Sequence, residues 1–156
     1  FLSPIINNTS EYILTNLLND NLNTELENQN ILDVVDVYNS DTSFELIIES
    51  VQDNSNIYTS NENLYETVQQ WKLVVRVKIN WYDINNNSVI IDKSIEEWAL
   101  YDNSGIDISA DGIDNDSDGL IDNNDSDEYG SAREAALRIT SQKIIDRIIN
   151  ELISNW

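Results

Sequence analysis

The stretch from Trp71 to Tyr82 alternates between apolar and polar side chains more regularly than any other part of the chain. A period of two residues is the repeat of a β-strand, in which successive side chains point to opposite faces of a sheet. The strand therefore buries one face and must belong to a sheet that another layer covers. The apolar residues at odd positions are Trp71, Leu73, Val75, Val77, Ile79 and Trp81. The even face is basic because it carries Lys72, Arg76 and Lys78.

A second strand is predicted to return along the first. Residues 89–101 are again rich in apolar and β-branched side chains. The segment from Asp83 to Ser88 is rich in Asn, which tolerates the left-handed conformations that hairpin turns need. The alternation of the return strand shifts once near Ser94, which predicts a bulge. The two strands together form a long hairpin.

Three further segments before residue 70 have strand or loop character. Phe1 to Ile6 is predicted to be a short partial strand. Residues 31–37 and 44–51 are both rich in β-branched and apolar side chains, and the second is the better strand candidate. The polar segment from Gln52 to Glu66 is predicted to be a loop.

Two segments have the period of an amphipathic helix. Between Ser10 and Glu27, leucines recur every four residues, and Thr9 or Ser10 is the predicted N-cap. A second helix starts at Ser131-Ala-Arg-Glu134, which is a capping box. Its apolar face is predicted to comprise Ala132, Ala135, Ala136, Ile139, Ile145, Ile148, Ile149, Leu152 and Trp156.

These elements predict an α+β fold in the order strand-helix-strand-strand-strand-helix. Two helices pack on one face of a four-stranded mixed sheet, and the other face stays open to solvent or to a partner. Residues 1–156 suffice for one well-packed core, so we predict a single domain with an acidic loop insert at about 102–130.

Composition excludes several classes of function. The chain has no Cys and no His, which excludes disulfides, zinc-thiolate sites and catalysis by Ser-His or Cys-His pairs. The formal net charge of −21 argues against nucleic acid and against direct docking on anionic membranes. All basic residues follow residue 71, so any anion-binding surface must come from the second half. Gly-rich phosphate loops and nucleophile elbows are absent, so we expect neither an enzyme nor an organic cofactor.

The acidic insert has the spacing of a calcium-binding loop. Ca²⁺ takes about six to eight oxygen ligands, which a loop supplies from positions 1, 3, 5, 7, 9 and 12, with a Gly turning the chain at position 6. The segment also resembles the metal-binding repeats of secreted bacterial proteins and thrombospondin type 3 repeats, and a solvated acidic loop is the alternative. The predicted calcium ligands are Asp114, Asp116, Asp118, the carbonyl of Leu120, Asp122 and Asp125. Because Asp125 stands where a Glu is usual, we expect modest affinity.

Several short segments, taken in chain order, resemble the LptE family of lipopolysaccharide-assembly lipoproteins from Gram-negative outer membranes. The first is an N-terminal strand that closes in Asn8-Thr9 before a helix. The next are the strand that starts at Trp71 and the paired strand that ends at Tyr101. The last is the C-terminal helix, which contains Glu134-Ala-Ala-Leu near its start and ends at Trp156.

The resemblance implies a non-enzymatic protein that is lipid-anchored at the periplasmic face of the outer membrane. Proteins of this family plug the LptD β-barrel and help deliver lipopolysaccharide to the cell surface, and their basic residues contact lipopolysaccharide phosphates. The lipid anchor would be N-terminal and is not part of this chain. The resemblance implies that the lipopolysaccharide phosphates would be contacted by the basic residues on the open face of the hairpin, which are Lys72, Arg76, Lys78 and Lys93. Alternatively, these cations pair across strands with Glu45, Glu49, Glu96 and Glu97, each pair contributing less than about 1 kcal/mol.

A calcium-dependent exported binding or adhesive module is the rival hypothesis. In that case the acidic insert is the functional centre, and the sheet only supports it. The cytosol holds too little free calcium for a site of modest affinity, so both hypotheses favour an exported protein.

Overall fold

The computed structural model describes residues 1–30, 32–60, 66–102, 107–125 and 128–155. Its four strands lie in the order β1-β2-β3-β4 within one sheet, and β1 is parallel to β2. A turn of four residues joins the neighbouring strands β3 and β4, which makes this pair antiparallel. The predicted α+β order is therefore confirmed. The elements are β1 (Ile6–Asn7), α1 (Tyr12–Gln29), β2 (Thr42–Ser60), β3 (Glu66–Asp83), β4 (Ser88–Asp102) and α2 (Ala132–Asn155), with 3-10 turns at Ile108–Ala110 and Asp122–Asn124.

Helix α1 buries the stripe of leucines that its sequence period predicts. It begins at Tyr12 with Glu11 as its N-cap, so the N-cap predicted at Thr9 or Ser10 is wrong. The hydroxyl of Thr9 instead accepts the backbone N–H of Glu11 ahead of the helix. It ends at Gln29, and the C-cap Asn30 has a left-handed backbone and donates its N–H to the carbonyl of Leu26 at 3.2 Å. The buried leucines are Leu14, Leu18, Leu22 and Leu26.

Strands β3 and β4 both bury their odd-numbered side chains. The alternation predicted for β3 is confirmed by burial of Leu73, Val75, Val77, Ile79 and Trp81. In β4 the buried residues are Ile91, Ile95, Ala99 and Tyr101. These positions stay odd on both sides of Ser94, so this burial pattern does not contain the shift predicted there. The turn between the strands includes Asn87 with a φ of 53°, as the Asn-rich sequence predicts.

Two further local predictions are wrong. Residues 32–37 form no strand, and Val34, Val35 and Val37 are exposed. High β-propensity does not make a strand when no neighbouring strand pairs with the segment. The expected loop from 52 to 66 is instead largely strand, because β2 continues to Ser60 and β3 begins at Glu66. Residues 31 and 61–65 lie outside the described part of the chain.

The chain packs as two units. The first comprises Phe1–Ser50, Arg76–Glu96 and Ser141–Trp156. Within it, side chains from both helices and from two strands line a common cavity, which shows that the helices cover this part of the sheet. These residues include Leu22 and Leu26 of α1, Phe44 of β2, Trp81 of β3 and Leu152 of α2.

The second unit comprises Val51–Val75 and Glu97–Thr140. It contains the first turns of α2, whose predicted apolar residues Ala132, Ala135, Ala136 and Ile139 are buried. The side chains of the predicted capping box meet directly, because the hydroxyl of Ser131 donates to the carboxylate of Glu134 at 2.8 Å. Asp53 of β2 binds Arg133 of α2 at 2.9 Å and so joins strand to helix.

Candidate functional site

In the first unit, two of the predicted lipopolysaccharide-binding cations are paired with carboxylates. Arg76 lies 3.6 Å from Glu49, and Lys78 lies 2.8 Å from Asp92. The hydrogen bond to Asp92 raises the pKa of Lys78, and the carboxylates of Glu49 and Glu45 raise it further. The pairing of Arg76 with Glu49 is the alternative that the sequence left open, whereas the partner of Lys78 is a residue that sequence reasoning did not name.

Lys93 does not lie on the predicted face. Its ammonium group pairs with Glu151 of α2. Lys93 is an odd-numbered residue of β4 and so belongs to the same face as the buried Ile91 and Ile95. The surface predicted from Lys72, Arg76, Lys78 and Lys93 therefore loses its fourth member.

In the second unit, Lys72 stands over an aromatic ring. Its Nζ lies 4.2 Å from the centroid of the Trp98 ring, which is a cation–π geometry. The ring limits how far the side chain can swing, but an ammonium group above a ring still has donors to offer an anion.

The acidic insert, which we call the acidic segment, brings three of its predicted calcium ligands together. Asp114, Asp116 and Asp118 each offer one carboxylate oxygen within 4.8 Å of the others. We call these three residues the outer carboxylates. Gly119 has a φ of +97°, so it provides the turn expected at the sixth loop position. The carboxylate of Asp114 also accepts the Gly119 N–H at 3.1 Å, which tightens this turn.

The remaining predicted ligands are placed differently. Leu120 is exposed, and its N–H donates to Asp118 at 2.7 Å. Asp122 turns toward Gly112, whose N–H its carboxylate accepts at 2.9 Å. Asp125 is buried, with an exposed fraction of only 7%. The structure thus gathers the first three residues of the template but does not place Asp122 in the same group.

Sequence reasoning missed Glu128 and Asn115, which organise the acidic segment. Both are 1% exposed. The two carboxylate oxygens of Glu128 accept the backbone N–H groups of Asn115 and Asp122, and so hold two distant parts of the segment together. The side-chain amide of Asn115 donates to the carbonyl of Leu100 at 2.8 Å, which attaches the segment to β4. A buried Glu three residues beyond the loop template leaves no signal in the ligand spacing.

Burial and mutual repulsion perturb the carboxylates of this segment. Burial raises the pKa of Asp111, and the nearby carboxylates of Asp102 and Asp122 raise it further. Burial also raises the pKa of Glu128, with smaller contributions from Asp125 and Asp111. By contrast, the backbone N–H groups of Ser109 and Gly130 lower the pKa of Asp107. The inner part of the segment is therefore a concentration of negative charge that is costly to bury.

Solved structures of low sequence identity share this fold. Rare lipoprotein B from Shewanella oneidensis is 18% identical, with a TM-score of 0.54 over 98% of this chain and 93% of that one. A hypothetical protein from Chlamydia trachomatis is 10% identical, with a TM-score of 0.57 over 98% and 96% of the two chains. A minor lipoprotein from Acinetobacter baumannii is 11% identical, with a TM-score of 0.52 over 99% and 92%. A search of curated proteins found no match.

By its fold, the chain is an α+β protein in which two helices cover one face of a four-stranded mixed sheet. The model of the LptE family, described as lipopolysaccharide-assembly, matches residues 1–152. The chain belongs to the LptE family. Membership supports a role in lipopolysaccharide assembly at the outer membrane. Among the described residues, neither α-helix has the length and apolar character needed to cross a membrane.

Proposed function

We propose that this protein is a non-enzymatic component of lipopolysaccharide assembly that plugs an LptD-type β-barrel at the outer membrane. The observation that carries the proposal is the match of the LptE family model to residues 1–152, which includes all strands and nearly all of α2. The fold shared with rare lipoprotein B over 98% of the chain supports it. In this proposal, a lipid anchor N-terminal to Phe1 attaches the protein to the periplasmic face of the membrane.

Copurification tests the partnership with the barrel. The full-length, membrane-targeted protein is expressed in its host, the outer membrane is extracted in mild detergent, and copurifying proteins are identified by mass spectrometry. We expect a stoichiometric β-barrel of the lipopolysaccharide-export type. An unrelated outer-membrane lipoprotein with the same tag controls for carry-over. A monomer that copurifies with no barrel would contradict the plug role and favour a calcium-dependent exported binding or adhesive module.

Lipopolysaccharide phosphates, in this proposal, bind the open face of the first unit through Arg76 and Lys78. The ionic partners Glu49 and Asp92 occupy these cations, so a phosphate has to replace them. Such a replacement is feasible because both pairs are partly exposed, and exposed ion pairs contribute at most about 1 kcal/mol. In the second unit, Lys72 offers a separate cation above Trp98.

Charge substitutions test the phosphate-binding face. We expect the double variant Arg76→Ala and Lys78→Ala to weaken lipopolysaccharide binding, and Glu49→Gln to strengthen it because Arg76 is released. Arg147→Ala, which removes an exposed cation from α2, is the matched control. Affinities are compared at one fixed salt concentration, since ionic contacts are screened by salt. A double variant that binds as tightly as the Arg147 control would refute the proposed face.

We also propose that the acidic segment binds Ca²⁺ through the outer carboxylates. The convergence of these three oxygens within 4.8 Å favours an ion there. The carbonyl of Leu120, Asp122 and Asp125 complete the predicted ligand set, although Asp122 must first release the N–H of Gly112. In this proposal, calcium binding is a property of this chain in addition to its role in lipopolysaccharide assembly.

Calorimetric titration with CaCl₂ tests this site. We expect the double variant Asp114→Asn and Asp118→Asn to lose binding at the outer carboxylates, because each substitution removes a charged ligand. Asp20→Asn removes one exposed carboxylate from α1 and serves as control. Equal calcium binding by the double variant and by the control would contradict the proposed ligand set.

A further inference from the structure

The inner part of the acidic segment contains buried oxygen atoms that accept no hydrogen bond within the described part of the chain. One is Oδ1 of Asn115, a residue that is only 1% exposed. The other is Oδ1 of Asp102, at the end of β4. A buried oxygen without a donor has lost its hydration and gained no partner, so such atoms call for a ligand or an ordered water.

A second carboxylate, that of Asp111, lies near these oxygens. The side-chain amide nitrogen of Asn115 lies 3.5 Å from Oδ2 of Asp111, so the unbonded Oδ1 of the same amide is close to that carboxylate. Asp102 is near enough for its charge to act on Asp111. We call Asp102, Asp111 and Asn115 the inner oxygens. Two carboxylates and an amide carbonyl are oxygen ligands of the kind that Ca²⁺ prefers.

The surroundings would hold the inner oxygens in place and let an ion enter. Glu128 binds the backbone N–H of Asn115, and Asn115 donates its side-chain amide to the carbonyl of Leu100. Two sides of Asn115 are therefore fixed by hydrogen bonds before any ion arrives. Asp102 and Asp111 also line an open cavity of about 470 Å³ within the second unit, which gives a path from solvent.

We infer that the inner oxygens form a second divalent-cation site, separate from the outer carboxylates and suited to Ca²⁺. Water molecules in the cavity would fill the remaining coordination positions, since Ca²⁺ takes about six to eight oxygens. An ion there satisfies both unbonded oxygens and offsets the repulsion between the two carboxylates. It also ties the acidic segment to the end of β4, because Asp102 belongs to that strand and Asp111 to the segment.

The inner site does not depend on the outer one, and counting bound ions separates them. Equilibrium dialysis of the chain against Ca²⁺, with metal determined by mass spectrometry, gives the number of ions per protein. We expect two ions for the unsubstituted protein and for the Asp20→Asn control. The double variant Asp114→Asn and Asp118→Asn should keep the inner ion.

Substitution of an inner oxygen should have the opposite effect. In Asp102→Asn and in Asn115→Ala the inner ion should bind about ten- to a hundredfold more weakly, while the outer ion is retained. Far-UV circular dichroism identifies any variant that fails to fold, and Asp111→Asn replaces it in that case. If the protein binds one ion instead of two, and that ion is retained when Asp114 and Asp118 are substituted but lost when Asp102 is substituted, the result also supports the inner site.

Two results would overturn the inference. One is a protein whose bound calcium is lost entirely when Asp114 and Asp118 are substituted. The other is unchanged ion number and affinity in both Asp102→Asn and Asn115→Ala, in which case an ordered water satisfies the buried oxygens.

Discussion

Glu128 provides a sharp test of how the acidic segment is held. Its carboxylate is 1% exposed and accepts the backbone N–H groups of Asn115 and Asp122. A hydrogen bond to a charged group contributes about 1.5–3 kcal/mol. Gln has nearly the same shape but only one acceptor oxygen, so Glu128→Gln should remove one of the two bonds. The expected loss in local stability is therefore about 1.5–3 kcal/mol.

Amide hydrogen exchange measures this loss where it occurs. Because about 1.4 kcal/mol corresponds to a factor of ten, one of the amides of Asn115 and Asp122 should exchange about ten- to a hundredfold faster. Glu134→Gln is the control, since Glu134 is exposed and its carboxylate bonds the side chain of Ser131. Both proteins are compared in the same calcium-free buffer. If neither amide exchanges faster in Glu128→Gln than in the control, Glu128 does not organise the segment.

Three further predictions concern the fold. Leu18→Ala should lower the free energy of unfolding, measured by urea denaturation, by about 2–5 kcal/mol, because Leu18 is buried. Ile13→Ala should lower it far less, because Ile13 is 46% exposed. Equal losses would contradict the assigned helix face. Asn87→Val should cost about 1–2 kcal/mol and Asn87→Gly much less, since φ at this position is 53°; equal thermal stability of the two variants would rule out the left-handed turn. Burial and the bond to Asp53 raise the pKa of Tyr101 above its ordinary value, so the folded state holds this proton more tightly and stability should fall as pH rises above 10.0. Absorbance titration of tyrosinate should show the late ionisation, and Asp53→Asn should make it earlier; an unchanged titration would exclude Asp53 as a cause.

The elements that sequence predicts best are those whose burial repeats with a fixed period. The leucines of α1 and the odd-numbered residues of β3 each face one buried side, so the period alone identifies the element and its buried face. Segment 32–37 has strand-forming residues but forms no strand. Whether a segment pairs with a neighbouring strand depends on the tertiary structure, which the local sequence does not contain. The second half of β2 is polar but is still a strand up to Ser60. Its backbone pairs with a neighbouring strand, and this pairing does not require apolar side chains.

The candidate sites were predictable only where they are local in sequence. Asp114, Asp116 and Asp118 are two residues apart, and a Gly that turns the chain follows them, so spacing suffices. Lys93 was misplaced because its assignment to the open face did not follow the odd parity that it shares with the buried Ile91 and Ile95 of β4. Glu128 bonds Asn115, and Asn115 bonds Leu100 of β4, each across more than ten residues, and such contacts leave no periodic signal.

The most direct test of a role in lipopolysaccharide assembly is the amount of lipopolysaccharide at the cell surface after depletion of this protein in its host. We expect surface lipopolysaccharide to fall as the protein disappears, and re-expression of the full-length, unsubstituted protein to restore it. The Asp20→Asn control should restore it equally. Surface lipopolysaccharide that stays unchanged after complete depletion would contradict a role in lipopolysaccharide assembly.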